Sequence, residues 1–153
     1  MNRIKLVVLI LLIFLILIQF VQPAPNRNSE MLPTDITRVY SVPVKVQAIL
    51  KKACYDCHSN DTRYPWYSRV QPVGWWLSLH IRKGKSELNF SEFGDYSKRR
   101  QISRLKAIAN SIVDGTMPLP AYTFIHRDAQ LTIAENRLIR EWADETKDRI
   151  SRE

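Results

Sequence analysis

The chain has 153 residues, of which 45% are hydrophobic and 25% charged, and its formal net charge is +8. This length and composition suit one folded domain with a short appendage, and they exclude a largely disordered chain. Only four glycines are present and no phosphate-loop pattern occurs, which excludes nucleotide binding of that kind.

The amino terminus predicts a membrane anchor. Arg3 and Lys5 precede an apolar run, and residues 4–21 give 18 positions, at the short edge of what spans a bilayer. A cleaved signal peptide is the alternative, but prolines in residues 22–25 disfavour cleavage close by. We therefore expect residues 1–22 to form a single-pass signal anchor in the bacterial cytoplasmic membrane. The positive charges before the run would keep that end inside and place the remaining chain on the periplasmic side.

The charge of the exported part limits its partners. Arg3 and Lys5 account for two of the eight positive charges, which leaves +6 for the rest of the chain. Such a surface suits anionic lipid headgroups or an acidic redox partner. Nucleic acid is not an expected partner of an exported protein.

Helical patterning begins after a polar segment. Residues 23–42 contain prolines and show no period, so they predict a tether. Pro43 suits a first helical position, and apolar residues then recur at helical spacing: Val46, Ile49, Leu50, Ala53 and Cys57. We expect residues 43–148 to form the exported domain.

The pentapeptide Cys54-Tyr55-Asp56-Cys57-His58 is the most specific motif in the chain. Two thiols three positions apart, followed by an imidazole, are typical of c-type haem attachment. Thiols at this spacing lie on one face of a helical turn, so both can reach the vinyl groups of one porphyrin. The pattern predicts one covalent haem c per chain, with iron bound by His58.

Other uses of these two cysteines remain open at this stage. A dithiol redox pair expects a preceding strand and a βαβ context, which the sequence lacks. A zinc site could recruit both cysteines and two of His58, His80 and His126, but the last two stand alone in the sequence. A disulfide across so short a loop would contribute little stability. We favour covalent haem.

The segment from residue 63 to 76 is unusually aromatic. We expect Trp66, Trp75 and Trp76 to contribute to an apolar haem pocket, together with Leu105 and Ile112. The chain from Trp75 to Ile81 has a helical pattern that Gly84 is expected to end, and residues 88–95 are predicted to be irregular.

Two further helices have clear signals. Ser97 can cap a helix whose apolar stripe continues to Val113, and Gly115 is expected to stop it. The prolines of residues 115–120 predict an extended loop. Thr132 and Glu135 form a capping box for the last helix, which is expected to turn four side chains inward: Ile133, Leu138, Ile139 and Trp142. No strand pattern appears, so the predicted fold is all-α, with about four helices around the haem.

The second axial ligand has three candidates. Met117 lies in the predicted loop, 59 residues after His58, and a thioether is a soft ligand that favours ferrous iron. The Gly-x-Met-Pro sequence around it resembles the distal-ligand loop of many class I c-type cytochromes. His80 and His126 are the alternatives. We favour Met117.

Several separated blocks resemble the bacterial haem-binding domain family. They are residues 54–67, 72–76, 80–81, 88–91 and 117–122, with His126. Members of this family are small cytochrome c-like domains that are often tethered to membranes. The resemblance implies covalent haem at Cys54 and Cys57 with His58 as proximal ligand, and it supplies no substrate or redox partner.

Two functions are consistent with these features. The first is one-electron transfer by a membrane-tethered cytochrome, since the polypeptide offers no nucleophile–base pair or paired carboxylates of its own. The second is a haem-based peroxidase or gas sensor, with an open or displaceable distal position near His80 or Arg82. An electron carrier is favoured over an enzyme.

Overall fold

The computed structural model describes residues 2–152, and within them the chain is all-helical, as predicted. Three short 3-10 turns lie in the segments that connect the α-helices, at Trp66–Arg69, Phe90–Asp95 and Arg127–Ala129. The α-helices are α1 (Arg3–Ile18), α2 (Ile36–Val39), α3 (Val44–Ala53), α4 (Tyr55–His58), α5 (Val73–Glu87), α6 (Lys98–Val113), α7 (Pro120–Ile125) and α8 (Ile133–Arg152).

The apolar core lies between α3, α6 and α8. Leu50, Leu105 and Ile139 are completely buried there, beside Phe90 and Phe93 of the 3-10 turn. Burying a side chain of this size stabilises a fold by about 1.5–3 kcal/mol. Leu105 and Ile112, which were expected in the haem pocket, belong to this core instead. Both side chains lie on the apolar face of α6, which packs against α8.

Two of the predicted helix starts are confirmed by their hydrogen bonds, whereas Pro43 precedes the first residue of α3 instead of occupying it. The Ser97 hydroxyl accepts from the Arg100 N–H at 3.4 Å. Thr132 and Glu135 form both bonds of the capping box, at 2.9 and 3.2 Å. Ile133, however, is 90% exposed, so its predicted inward position is wrong. It lies in the first turn of α8.

Two helix boundaries differ from the prediction. Gly84 does not end α5, which continues to Glu87. The extended loop stops at Leu119, because Pro120 begins the unpredicted helix α7. Proline has a fixed φ that suits the first helical position, so Pro120 starts the new helix although it could not continue an earlier one.

The polar segment after α1 lies against the domain. The Asn28 N–H donates to the Asn60 carbonyl at 2.9 Å, and the Thr62 N–H donates to the Asn26 carbonyl at 3.0 Å. The Asn26 side chain also accepts a bond from Lys85 at 2.7 Å. Residues 26–28 are therefore paired with the loop that follows α4.

Helix α1 has 16 residues and none of them is buried. It ends at Ile18, after which the Gln19 side chain bonds to the backbone of Gln71. No helix within residues 2–152 is both long enough and apolar enough to cross a membrane. The spanning helix expected over residues 4–21 is thus not found in that form.

Candidate haem site

The predicted attachment motif, residues 54–58, forms a tight turn between α3 and α5, which we call the attachment turn. Cys54 links α3 to α4, and Cys57 lies within α4. Both thiols are free, and both line one cavity. Burial, with a smaller effect of Cys57, raises the pKa of the Cys54 thiol to about 12. Burial and then Asp56 raise the pKa of Cys57 to about 11. The pair therefore lacks the lowered pKa of a reactive dithiol.

His58 is oriented by a backbone hydrogen bond. Its Nδ1 lies 3.0 Å from the carbonyl oxygen of Leu88. A carbonyl can only accept, so Nδ1 carries the proton and Nε2 is left as the free electron-pair donor. Burial lowers the pKa of His58 despite the opposing effect of its hydrogen bonds to the backbone of Leu88 and Gly84. The neutral imidazole is the form that binds a metal.

Gly84 allows α5 to pack closely on the attachment turn. A Cβ atom at this position would lie 2.7 Å from the carbonyl oxygen of Cys57. Any larger residue would push α5 away from α4. This contact is the structural reason for a glycine in the last turn of α5.

The cavity beside the turn has a volume of about 240 Å³. One face of α5 lines it with His80, Lys83, Gly84 and Glu87, and the segment Met117–Leu119 lines it with Tyr122 of α7. Drug-sized ligands occupy pockets of roughly 300–1,000 Å³, so a cavity of this volume would enclose only part of a porphyrin.

A polar network ties α7 to the attachment turn. The Tyr122 hydroxyl donates to Oδ2 of Asp56 at 2.6 Å, and Arg63 Nε donates to Oδ1 at 3.2 Å. Asp56 is buried and lies between the two cysteines, while Tyr122 follows the Met117 loop. The network therefore holds the loop that carries Met117 close to the turn that carries His58.

The two alternative histidines occupy different surroundings. His80 lines the cavity, and its Nδ1 lies 2.9 Å from the Trp76 carbonyl. His126 does not line it, because its Nε2 is 2.7 Å from the Tyr67 hydroxyl and its ring stacks on Tyr122.

The tryptophans predicted for the pocket do not line the cavity. Trp66 is 81% exposed and Trp76 is 50% exposed, although Trp76 contacts the His80 ring at a centroid distance of 4.0 Å. Trp75 turns its indole toward the end of α1. Sequence reasoning instead missed Gly84, Leu88 and Tyr122. Leu88 and Tyr122 do lie in the blocks that resemble the haem-binding domain family, but the chain alone indicates no role for them.

A second cavity of about 490 Å³ lies on the other face of the turn. Charged and polar side chains dominate its lining, among them Lys51, Lys52 and Arg63, and neither thiol nor His58 reaches it. An apolar porphyrin with bound iron suits the smaller cavity better. Within residues 2–152 no three His, Cys, Asp or Glu side chains group to hold a metal ion.

Haem fits the donor set around the smaller cavity. Two free thiols and an imidazole with its Nε2 unused come from one turn, and a thioether comes from the Met117 loop.

Comparisons with curated proteins and with solved structures gave no match. The sequence does match the family model described as haem-binding domain, over residues 13–145. Since this match covers most of the chain, the protein belongs to the haem-binding domain family.

Proposed function

We propose that this protein is a membrane-tethered c-type cytochrome that transfers single electrons on the periplasmic side. The observation that carries the proposal is the bond between His58 Nδ1 and the Leu88 carbonyl, which leaves Nε2 unused beside two free thiols. An imidazole held in one tautomer by a backbone acceptor is the usual arrangement of a metal-binding histidine.

Cys54 and Cys57 would attach the haem covalently. Each S–H adds across one vinyl double bond, the sulfur bonding one carbon and the proton going to the other, so no oxidant is required. The thiols line the same cavity from one turn, at the i and i+3 spacing that reaches one side of a porphyrin.

Met117 is the proposed sixth ligand. It lines the cavity, and the bond from Tyr122 to Asp56 holds its loop near the attachment turn. Haem iron with two axial protein ligands mainly exchanges electrons. The chain's own contribution is to supply these ligands, to keep water from the buried face of the ring and to leave one edge accessible.

The apolar amino-terminal residues would provide the membrane attachment. Every apolar side chain from Leu6 to Leu17 is more than 40% exposed, which is costly in water and favourable in lipid. Arg3 and Lys5 would keep the amino terminus in the cytoplasm and place the haem domain outside.

A second function, peroxide or gas binding, is favoured by one observation. His80 lines the same cavity, and its Nδ1 lies beside the Trp76 carbonyl, which leaves Nε2 available to a small ligand. This function requires Met117 to be absent from the iron or easily displaced. Met117 is 38% exposed, so neighbouring residues cover only part of its side chain.

Optical and magnetic circular dichroism spectra of the full-length protein, Met117→Ala and His80→Ala separate the two functions. Electron transfer predicts a low-spin spectrum in both oxidation states, lost in Met117→Ala and kept in His80→Ala. It also predicts that the ferrous wild type resists carbon monoxide. A high-spin wild type that binds carbon monoxide rapidly would contradict electron transfer and support the second function.

A further inference from the structure

Three of the four tryptophans are exposed on two adjacent segments, the Trp66–Arg69 turn and α5, beside other exposed apolar residues. Trp66 and Trp76 are at least half exposed, whereas Trp142 is 4% exposed in the core. The 3-10 turn at Trp66–Arg69 packs against the start of α5. We define the aromatic surface by six side chains: Trp66, Val70, Val73, Trp75, Trp76 and Leu79.

Hydrogen bonds join this surface to the carboxyl end of α1. The Trp75 indole N–H donates to the Val21 carbonyl at 2.7 Å. Gln19 makes two bonds to the Gln71 backbone, at 2.9 and 3.2 Å, and Gln22 donates to the Arg69 carbonyl at 3.1 Å. The buried Gln71 side chain also donates to Gln22 at 2.9 Å. The surface therefore begins where the apolar helix ends.

The length of α1 indicates how deep this junction would lie in a membrane. Its 16 residues extend over about 24 Å at 1.5 Å per residue. The hydrocarbon core of a bilayer is about 30 Å thick. A short apolar segment is accommodated by thinning the bilayer and drawing flanking residues into it. The flanking residues on this side are those bonded to Gln19, Val21 and Gln22.

We propose that the aromatic surface lies in the lipid headgroup layer, next to the exit of α1 from the membrane. Indole rings have an apolar body and a polar N–H, and they favour this layer. The exposed Arg69 beside Val70 would contact anionic headgroups. Lipid is the occupant, rather than a protein, because the surface is bonded to the residues that follow the apolar helix. This proposal rests on the membrane attachment proposed above.

The consequence is a fixed orientation of the haem domain. A single span followed by a loose tether would let the domain rotate freely relative to the membrane. With α1 in the bilayer and the aromatic surface in the headgroup layer, the domain would contact the membrane at two places. His80, the first cavity residue on α5, lies five positions after Trp75, or about 8 Å along the helix. The cavity would then lie close to the membrane surface, within reach of a membrane-bound redox partner.

The test uses the full chain in vesicles of phosphatidylethanolamine and phosphatidylglycerol, with or without brominated acyl chains. Two variants are compared: one keeps Trp66 and Trp75, whose indole N–H bonds to Val21, and the other keeps only Trp142, with phenylalanine at the remaining tryptophan positions. Haem also quenches indole emission, so the ratio between brominated and plain vesicles is compared. We expect loss of emission in brominated vesicles for the variant that keeps Trp66 and no change for the variant that keeps Trp142.

A single substitution serves as a second measurement in case the multiple replacements prevent folding. Trp66→Ser in the otherwise native chain should reduce the lipid-dependent quenching of total emission. Phe124→Ser serves as the matched control, because Phe124 is 79% exposed and lies outside both the cavity and the bonds to α1. It should leave the quenching unchanged.

The outcomes separate this proposal from the proposed function. Protein that does not float with vesicles contradicts the membrane attachment itself. Protein that floats while Trp66 stays unquenched contradicts only the aromatic surface. Equal effects of Trp66→Ser and Phe124→Ser also overturn it.

Discussion

The apolar core of this domain and its haem side are stabilised by different kinds of contact. The haem side is the attachment turn together with the segments that line the smaller cavity. The core between α3, α6 and α8 consists of fully buried aliphatic side chains, such as Leu105 and Ile139. The haem side depends on single directed contacts, in particular the bonds of His58 to Leu88 and of Tyr122 to Asp56. Stability and cofactor geometry should therefore respond to different substitutions.

Leu105→Ala should have the largest effect on stability and leave haem ligation unchanged. Leu105 is completely buried and does not line the cavity. Removing such a side chain lowers the free energy of unfolding by about 2–5 kcal/mol. Urea unfolding measures this loss, and the absorption spectrum of the folded protein should match the wild type. A changed spectrum would show that the core and the haem side are not independent.

Gly84→Ala should instead impair the haem side. The new Cβ would lie 2.7 Å from the Cys57 carbonyl, which forces α5 away from the attachment turn at a cost of about 1–3 kcal/mol. Better helix propensity offsets roughly 1 kcal/mol of this. We expect a smaller fraction of chains with bound haem, measured by the ratio of haem absorbance to protein. Ser86→Ala, at an exposed position of α5, is the control and should keep the wild-type ratio.

Tyr122→Phe should loosen the Met117 loop with a smaller loss of stability. The change removes the 2.6 Å bond to Asp56, and losing a bond to a charged group costs about 1–2 kcal/mol at a half-buried site. Ferrous protein should then bind carbon monoxide faster, because Met117 is less firmly held. Tyr64→Phe removes the bond that the Tyr64 hydroxyl accepts from the Asn26 N–H, outside the cavity, and should bind at the wild-type rate. Equal rates in wild type and Tyr122→Phe would refute a role for this bond.

Glu135→Gln should have the smallest effect, and that effect should depend on pH. A hydrogen bond from Lys52, assisted by the Thr132 backbone, lowers the pKa of Glu135 in the folded state. A lowered folded pKa adds stability above the unfolded value of about 4.3 and loses it as pH falls through the folded pKa. Solvent screening limits the contribution to below about 1 kcal/mol. The free energy of unfolding should separate the variant from wild type at pH 7, and the difference should be smaller at pH 3. A difference of the same size at both pH values would exclude this origin.

Local signals predicted well wherever neighbouring residues decide the structure. Ser97 and the Thr132–Glu135 box begin helices because a side chain bonds to a backbone group three positions away. The attachment motif is equally local, since its thiols and imidazole share one turn. These features require no knowledge of the rest of the fold.

Contacts between distant segments could not be predicted in the same way. Gly84 was interpreted as a helix end, but it provides space for Cys57, 27 positions earlier. The tryptophans were placed around the haem on composition alone, whereas the rotation of α5 turns Trp75 toward Val21. The Gln19 side chain after α1 likewise accepts a bond from the N–H of Gln71, a residue far along the chain.

The most direct test of the central proposal is the intact mass of the denatured full-length protein from cells that mature c-type cytochromes. We expect the polypeptide mass increased by one haem, with the colour retained in denaturant, and loss of both in Cys54→Ala/Cys57→Ala. A colourless chain at the bare polypeptide mass, from cells that mature a control cytochrome normally, would contradict it.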